Sequence, residues 1–158
     1  MKRTVFKAVF AVMIVAMLLV PVSLSAQTDA IDEIERGGFG FGVMLGEPSG
    51  VSLISWLGGA NALDFVAAWS FENEGSFYFQ ADYQFHSFVE RPLTVFFGAG
   101  GFVRLEEDPN FGFRIPVGLT YLFENAPFDV FIKAAPGMSL VPATEFTING
   151  GIGFRFYP

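Results

Sequence analysis

A two-residue alternation of side chains runs through most of this chain, and it is clearest in residues 76–88, SFYFQADYQFHSF. Apolar residues such as Phe77 and Phe79 alternate there with polar residues such as Gln80 and Asp82. Successive side chains of a β-strand point to opposite faces, so this period predicts a strand with one apolar and one polar face. The direction of the apolar face, inward or outward, decides between a soluble protein and a membrane protein.

The same alternation continues from Gly37 almost to the end of the chain, interrupted by turn-forming stretches rich in Gly, Pro, Asn and acidic residues. Short links favour antiparallel neighbours, and the segments are not separated by the long crossovers that parallel strands need. The sequence therefore predicts an all-β fold, an eight-stranded antiparallel up-and-down arrangement with short turns at both ends. The predicted strands are 37–46, 50–58, 62–72, 76–87, 92–105, 110–123, 128–140 and 145–157.

One face of the predicted strands is apolar, and its aromatic residues concentrate towards the strand ends. In segment 145–157, Phe146 and Phe156 lie near the ends, and Ile148 and Ile152 lie between them. Aromatic rings favour the lipid–water boundary, so this order predicts two aromatic girdles around an aliphatic belt. The predicted girdle residues are Trp69, Phe71, Phe77, Phe111, Phe113, Phe146, Tyr121, Phe123, Phe128, Phe154 and Phe156.

The opposite face consists mainly of glycines with a few long polar side chains. A sheet face in water normally carries many Lys and Glu, whereas the only lysine after Lys7 is Lys133. Small residues fit the interior of a narrow eight-stranded barrel. We therefore predict that the aromatic face meets lipid and that the glycine face lines the lumen. Unpaired strand edges are costly in hydrocarbon, so the eight-stranded antiparallel up-and-down sheet is predicted to be a closed transmembrane β-barrel.

Most charges on the glycine face are predicted to form an ion network inside the lumen. We expect Arg104 and Arg114 to be near-opposites across the turn EEDPN, with the acid Glu72 between them and Asp82 lower down. Buried charges must be paired, so the network predicts a plugged lumen, with a selectivity filter for small anions as the alternative. The predicted network comprises Asp64, Glu72, Asp82, Arg104, Arg114, Lys133 and Arg155.

Residue types suited to catalysis or metal binding are scarce. His86 is the only histidine, and cysteine is absent. His86 and Ser87 are consecutive and so point to opposite faces, and the inward acid Asp82 lies about 13 Å away along the strand. We therefore expect a rim position for His86, and no catalytic residue, no cofactor-binding residue and no metal site.

The N-terminal segment has the order of a secretory signal peptide, with basic MKRTVFK, apolar residues 8–20 and then small residues. The apolar run is shorter than the roughly 20 residues that a spanning helix needs. We predict cleavage after Ser25 or Ala26. The predicted divisions are 1–26 as signal peptide, 27–36 as an acidic N-terminal tether and 37–158 as the barrel.

Cleavage would make the chain strongly acidic. Residues 1–26 hold three cations and no acid, so their removal takes the formal charge from −7 to −10. Such a polyanion is a poor candidate for binding nucleic acid. The lack of cysteine excludes a disulfide framework and lipid attachment through an N-terminal cysteine.

Over residues 37–158 the chain resembles the small outer-membrane β-barrels of Gram-negative-type bacteria, of the OmpA and OmpX transmembrane kind. GVMLGEPSGVSLISWLGGANALDF (42–65) is similar to the opening hairpin of a group of uncharacterised small bacterial barrels. The last strand, INGGIGFRFYP, resembles the C-terminal signal that barrel-assembly machinery recognises, through Phe154 and Phe156. The resemblance implies periplasmic termini, with outer-membrane lipids and the assembly machinery as partners.

Taken as a whole, the pattern predicts a small integral outer-membrane barrel protein with a structural, membrane-integrity role. We expect a monomer without enzymatic activity. Two alternatives remain open. One is a narrow pore for small ions or solutes, and the other is a soluble periplasmic lipocalin-like barrel that holds a lipid, which requires the aromatic face to turn inward.

Overall fold

The computed structural model describes residues 38–70 and 76–158, which form one sheet of antiparallel strands. The prediction of an all-β, antiparallel chain is confirmed. Nothing in these two ranges is a helix long and apolar enough to cross a membrane. The predicted signal peptide and tether, together with Phe71 and Glu72, lie outside the described residues. The strands are β1 (Phe39–Glu47), β2 (Gly50–Gly58), β3 (Asn61–Ser70), β4 (Ser76–Glu90), β5 (Leu93–Leu105), β6 (Asn110–Arg114), β7 (Val117–Leu122), β8 (Phe128–Val141) and β9 (Glu145–Phe156).

Hydrogen bonding runs round the sheet in a ring. Neighbouring strands pair antiparallel from β1 to β5, β8 pairs with β9, and β9 pairs back with β1. Both β6 and β7 lie between β5 and β8. Two of the nine strands therefore share one position in the ring.

The prediction of eight strands is corrected to nine, because predicted strand 110–123 is divided at Ile115 and Pro116. Proline has no N–H to donate and interrupts the hydrogen-bond ladder of a sheet. The backbone N–H of Ile115 still donates to the carbonyl of Pro136 on β8, at 2.9 Å. This bond keeps β6 and β7 in line, so the division leaves the ring intact.

The two faces of the sheet differ sharply in exposure. Phe79, Phe113 and Ile132 point outward and are 43%, 46% and 56% exposed. Arg114 and Lys133 point inward and are 2% and 3% exposed. The apolar face is therefore on the outside of the ring and the charged face on the inside, as predicted from the glycines and the scarcity of lysine on the charged face.

Outward aromatic rings contact one another near the strand ends. The ring of Phe128 lies 5.0 Å from that of Phe154 and 5.3 Å from that of Phe156, which in turn lies 5.8 Å from Phe41. The other described residues of the predicted girdles are half-buried or exposed, and the two-residue alternation of their strands puts them on the same face. They are Trp69, Phe77, Phe111, Phe113, Phe146, Tyr121 and Phe123.

Aromatic rings also point inward, where they cover glycines. A Cβ atom on Gly40 would lie 2.6 Å from the ring of Tyr157, and Gly153 faces the ring of Phe131 in the same way. The sequence assigned the interior to glycines and charged groups, and these rings were not predicted. Glycine is needed opposite Tyr157 and Phe131 because any side chain would overlap the ring. The buried inward rings are Trp56, Tyr78, Phe96, Phe102, Phe131 and Tyr157.

Substituting Gly153→Ala is expected to lower the free energy of unfolding by about 1–3 kcal/mol, because the added methyl group overpacks against Phe131. Urea titration followed by tryptophan fluorescence measures the change. Gly101→Ala is the matched control, since a Cβ there meets its nearest atom at 3.4 Å. Equal losses in the two variants would contradict the proposed overlap. Phe131→Leu should restore only part of the stability of the Gly153 variant, because the backbone carbonyl oxygen of Val43 would still lie 2.6 Å from the added Cβ.

Candidate functional site: the interior charge network

Six charged side chains from five strands meet inside the ring. Asp64 comes from β3, Asp82 from β4 and Arg114 from β6, while β8 and β9 supply the others. All six are almost fully buried. We call this set the interior network; its members are Asp64, Asp82, Arg114, Asp129, Lys133 and Arg155.

Two acids of the interior network lie side by side and draw their cations from across the lumen. Asp64 and Asp82 are direct partners in the β3–β4 register. Two like charges placed opposite each other destabilise the pairing of two strands. Lys133 Nζ donates to Asp64 Oδ2 at 2.5 Å, and Arg155 Nη1 donates to Asp64 Oδ1 at 3.1 Å. Arg114 Nε lies 3.2 Å from Asp82 Oδ1. These pairs neutralise both acids and tie β6, β8 and β9 to β3 and β4.

Arg155 pairs with a second acid of the interior network, Asp129, in addition to Asp64. Its Nε donates to both carboxylate oxygens of Asp129, at 3.0 and 3.1 Å, and its guanidinium carbon lies 4.2 Å from the centre of the Phe131 ring. The hydroxyl of Tyr157 also donates to Asp129, and Trp56 Nε1 donates to the Tyr157 oxygen at 3.2 Å. The charges on β8 and β9 are thus held by hydrogen bonds that reach β2.

A further polar layer lies beside Arg114. Its Nη1 donates to the hydroxyl oxygen of Tyr78 at 3.1 Å and to the amide oxygen of Gln80. Asn149 Nδ2 donates to the same Tyr78 oxygen at 2.9 Å. These bonds connect β4, β6 and β9 through the lumen.

Buried apolar side chains accompany the charges inside the ring in two clusters. The first comprises Ile54, Trp56, Ala62, Leu122 and Tyr157. The second comprises Met44, Val66, Ala68, Tyr78, Phe102 and Phe131. Tyr157 belongs to the first cluster and also bonds Asp129, so apolar packing and ion pairing form one continuous filling.

Arg104 is outside the interior network, and the prediction that it faces Arg114 is wrong. The β5–β6 register places Arg104 opposite Asn110, four residues along the strand from Arg114. The midpoint of the turn between β5 and β6 lies nearer the N-terminus than a pairing of Arg104 with Arg114 would require. The guanidinium carbon of Arg104 lies 5.7 Å from the centre of the Tyr78 ring.

Asp129 and Tyr157 belong to this site and were missed by the sequence prediction. Asp129 is separated from Lys133, and Tyr157 from Arg155, by an even number of positions, so alternation places each pair on one face. Asp129 and Tyr157 could therefore have been assigned to the inward face. Each lies at or just beyond a strand end, where boundaries read from sequence are least reliable.

His86 is buried inside the ring, whereas we expected it at the rim. Its ring stacks on Phe96 with centroids 5.0 Å apart and meets Trp56 edge-on at 4.6 Å. Its Nε2 lies 3.1 Å from the amide oxygen of Gln84, and its Nδ1 lies 3.4 Å from the Thr94 hydroxyl. These contacts pack the imidazole inside the ring, against two aromatic rings and close to the Thr94 hydroxyl.

The arrangement supplies fixed, mutually neutralised charges. In the part of the chain that the structure describes, no group of three or more His, Asp or Glu side chains is placed to hold a metal ion. Each buried carboxylate there has a cationic neighbour within 3.2 Å. Comparisons with protein-family models, with curated proteins and with solved structures found no match for this chain.

Proposed function

We propose that this chain is a small integral outer-membrane β-barrel protein with a structural, membrane-integrity role and a lumen plugged by polar and charged side chains. The observation that carries the proposal is inverted burial. Large apolar side chains such as Phe146 and Ile152 are exposed outside the ring, whereas Arg114 and Arg155 are buried within it. This is the reverse of the distribution in a soluble protein.

The outward face is apolar around the whole circumference, since each of the nine strands contributes at least one exposed large apolar side chain. Soluble monomers rarely expose continuous apolar patches beyond a few hundred Å². Contact with water costs roughly 25 cal/mol for each Å² of apolar surface, and hydrocarbon removes that cost. The face therefore supports contact with lipid.

Strand length supports the same location. Ten residues rise about 33 Å and, tilted by roughly 45°, cross about 25 Å, the height of the apolar band of outer-membrane barrels. β3 has 10 residues, and β4, β5, β8 and β9 are longer. Ring-like hydrogen bonding also satisfies the backbone, which hydrocarbon requires.

A plugged lumen is favoured over a narrow pore. Side chains fill the interior of barrels of this size, and here the interior network and the inward rings occupy it. We expect no reproducible conductance steps in planar bilayers. Anion-selective steps that disappear in the double variant Arg104→Ala, Arg114→Ala would support the pore instead.

A lipocalin-like carrier is disfavoured by the same residues. Such a protein would hold lipid against an apolar interior, with its polar face in water. The paired charges of Asp64, Lys133 and Arg155 stand where the lipid would lie. An alkyl chain in this position would separate the ion pairs and leave buried charges without partners, which is strongly destabilising.

Biogenesis follows from the proposed location. Residues 1–26 would direct export and be removed, and barrel-assembly machinery would insert the remaining chain into the outer membrane of a Gram-negative-type bacterium. Outer-membrane lipids would then surround a monomer. We propose no catalytic role, because His86 is packed between aromatic rings.

Gel migration with and without boiling tests the proposal after detergent extraction. We expect the unboiled chain to migrate differently from the boiled chain, because a closed hydrogen-bonded ring resists unfolding by detergent alone. We also expect the chain to stay with the membranes after a carbonate wash, with a soluble periplasmic protein as the control. Recovery in the wash without detergent, with no shift on heating, would overturn the membrane assignment.

A further inference from the structure

On the inward face of the described residues, the cations outnumber the acids by one. Among the charged side chains of residues 38–70 and 76–158 that are buried or half-buried, Asp64, Asp82 and Asp129 are the acids. Arg114, Lys133 and Arg155 take all three as ion-pair partners. The remaining cation is Arg104, for which these ranges provide no ion pair. The positive charge of Arg104 can therefore pair with a group other than these three acids.

Arg104 lies at one open end of the ring. It is the residue before the last in β5, and its register partners are Tyr78 near the start of β4 and Asn110 at the start of β6. The Tyr78 ring attracts the guanidinium, whose carbon lies 5.7 Å from the ring centre, but it leaves the charge unneutralised. A guanidinium has five N–H donors, and none of those of Arg104 donates to another side chain among residues 38–70 and 76–158.

Polar side chains border the same position. Ser139 Oγ donates to Asn110 Oδ1 at 2.6 Å, which leaves the Asn110 amide nitrogen to donate to another group. Asn149 Nδ2 donates to the Tyr78 oxygen at 2.9 Å and so positions the Tyr78 ring, which lies against Arg104. We call this place the Arg104 recess; it comprises Tyr78, Arg104, Asn110, Ser139 and Asn149.

We propose that the Arg104 recess binds a phosphate group, held by the Arg104 guanidinium and the Asn110 amide. The planar guanidinium matches two phosphate oxygens at once, and charge-assisted hydrogen bonds are stronger than neutral ones. The phosphate is either inorganic or the terminal group of a lipid. This binding is additional to the structural role, and the test with inorganic phosphate does not depend on membrane insertion.

Neighbouring acids limit the affinity without abolishing it. Glu106, Glu107 and Asp108 lie in the turn between β5 and β6 and are exposed. Repulsion from exposed charges is weak in water and is screened by salt, whereas contacts at the half-buried Arg104 are screened less. We therefore expect a dissociation constant on the order of 1 mM.

Phosphorus NMR of inorganic phosphate, titrated against the folded full chain in uncharged detergent at constant ionic strength, measures the binding. We expect saturable shifts with the unsubstituted chain and about tenfold or greater weakening in Arg104→Gln. Arg104→Lys should retain part of the affinity. Arg91→Gln is the matched control, since Arg91 is an exposed cation at the opposite end of β5 and should leave binding unchanged. The heat-dependent gel shift verifies that each variant is folded.

Three results would overturn the proposal. The first is equal binding by the unsubstituted chain and Arg104→Gln. The second is binding that is unaffected by Asn110→Ala, for which we expect a severalfold loss. The third is binding that appears only in the variant Glu72→Gln. That result would mean that Glu72 neutralises Arg104 in the unsubstituted chain.

Competition identifies the source of the phosphate. Lysophosphatidic acid carries a terminal phosphate and can be added in mixed micelles during the inorganic phosphate titration. Displacement of inorganic phosphate by this lipid, beyond that caused by lysophosphatidylcholine, supports a lipid head group in the recess. Saturable phosphate binding without such displacement supports free phosphate as the occupant.

Discussion

Replacing Asp64 with asparagine is expected to lower the free energy of unfolding by about 3–5 kcal/mol, the largest single-residue effect on stability that we predict. Asp64 accepts hydrogen bonds from Lys133 at 2.5 Å and from Arg155 at 3.1 Å. The neutral amide would leave a buried ammonium group without its carboxylate and Arg155 with Asp129 alone. Urea titration of the protein in phosphatidylcholine vesicles, followed by tryptophan fluorescence, measures the loss.

A second substitution separates lost pairing from altered shape. Adding Lys133→Met to Asp64→Asn removes the stranded charge and should restore much of the stability, since an apolar replacement for a buried ion pair is often neutral. Glu90→Gln, at an exposed acid, should change stability by less than about 0.5 kcal/mol. If Asp64→Asn behaves like Glu90→Gln, the interior network does not hold the ring together.

Replacing Ile132 with arginine is expected to lower the free energy of unfolding in lipid vesicles by about 2–4 kcal/mol, the cost of a cation near the bilayer midplane. Ile132 lies near the middle of β8, points outward, and has Leu119 and Ile152 as its register partners. A face in contact with water would instead accept the arginine with a change within about 0.5 kcal/mol. The same urea titration in vesicles distinguishes the two environments.

The matched control lies on the same face of the same strand. Val141 is the last residue of β8 and is exposed, and a bulge in the β6–β8 register makes it the partner of the outward Phe111. Val141→Arg therefore places the same charge near the proposed membrane boundary. The expected loss there is about 0–1 kcal/mol. Equal effects at the two positions would contradict insertion of the outward face into lipid, because a uniform solvent has no dependence on depth.

The two faces of the sheet could be predicted from alternation alone. A period of two residues assigns each side chain to a face, and glycine with sparse charge on one face indicates which is inside. Ile132 and Lys133, adjacent in sequence, point to opposite sides of the ring accordingly. The ion pairs could not be predicted, since partners such as Asp64 and Arg155 come from strands distant in the chain.

Register and packing were also beyond the sequence pattern. The pairing of Arg104 with Asn110 depends on where the turn between them is centred, and several centres are compatible with EEDPN. Pro116 interrupts the ladder although the alternation continues through it. The ring of Phe131 fits inside because its register partner on the neighbouring strand, Gly153, has no side chain. Alternation within one strand does not predict such a cross-strand contact.

The return of β9 to β1 also affects how copies of this chain can associate. Each strand in the described ranges has hydrogen-bonded neighbours on both sides. Fibrils and swapped oligomers grow when a strand at the border of a sheet accepts one from another molecule. Here that template is missing, so such growth would first have to break a pairing such as β1 with β9. Conditions that rupture this pairing, rather than high concentration alone, should set the onset of fibril formation.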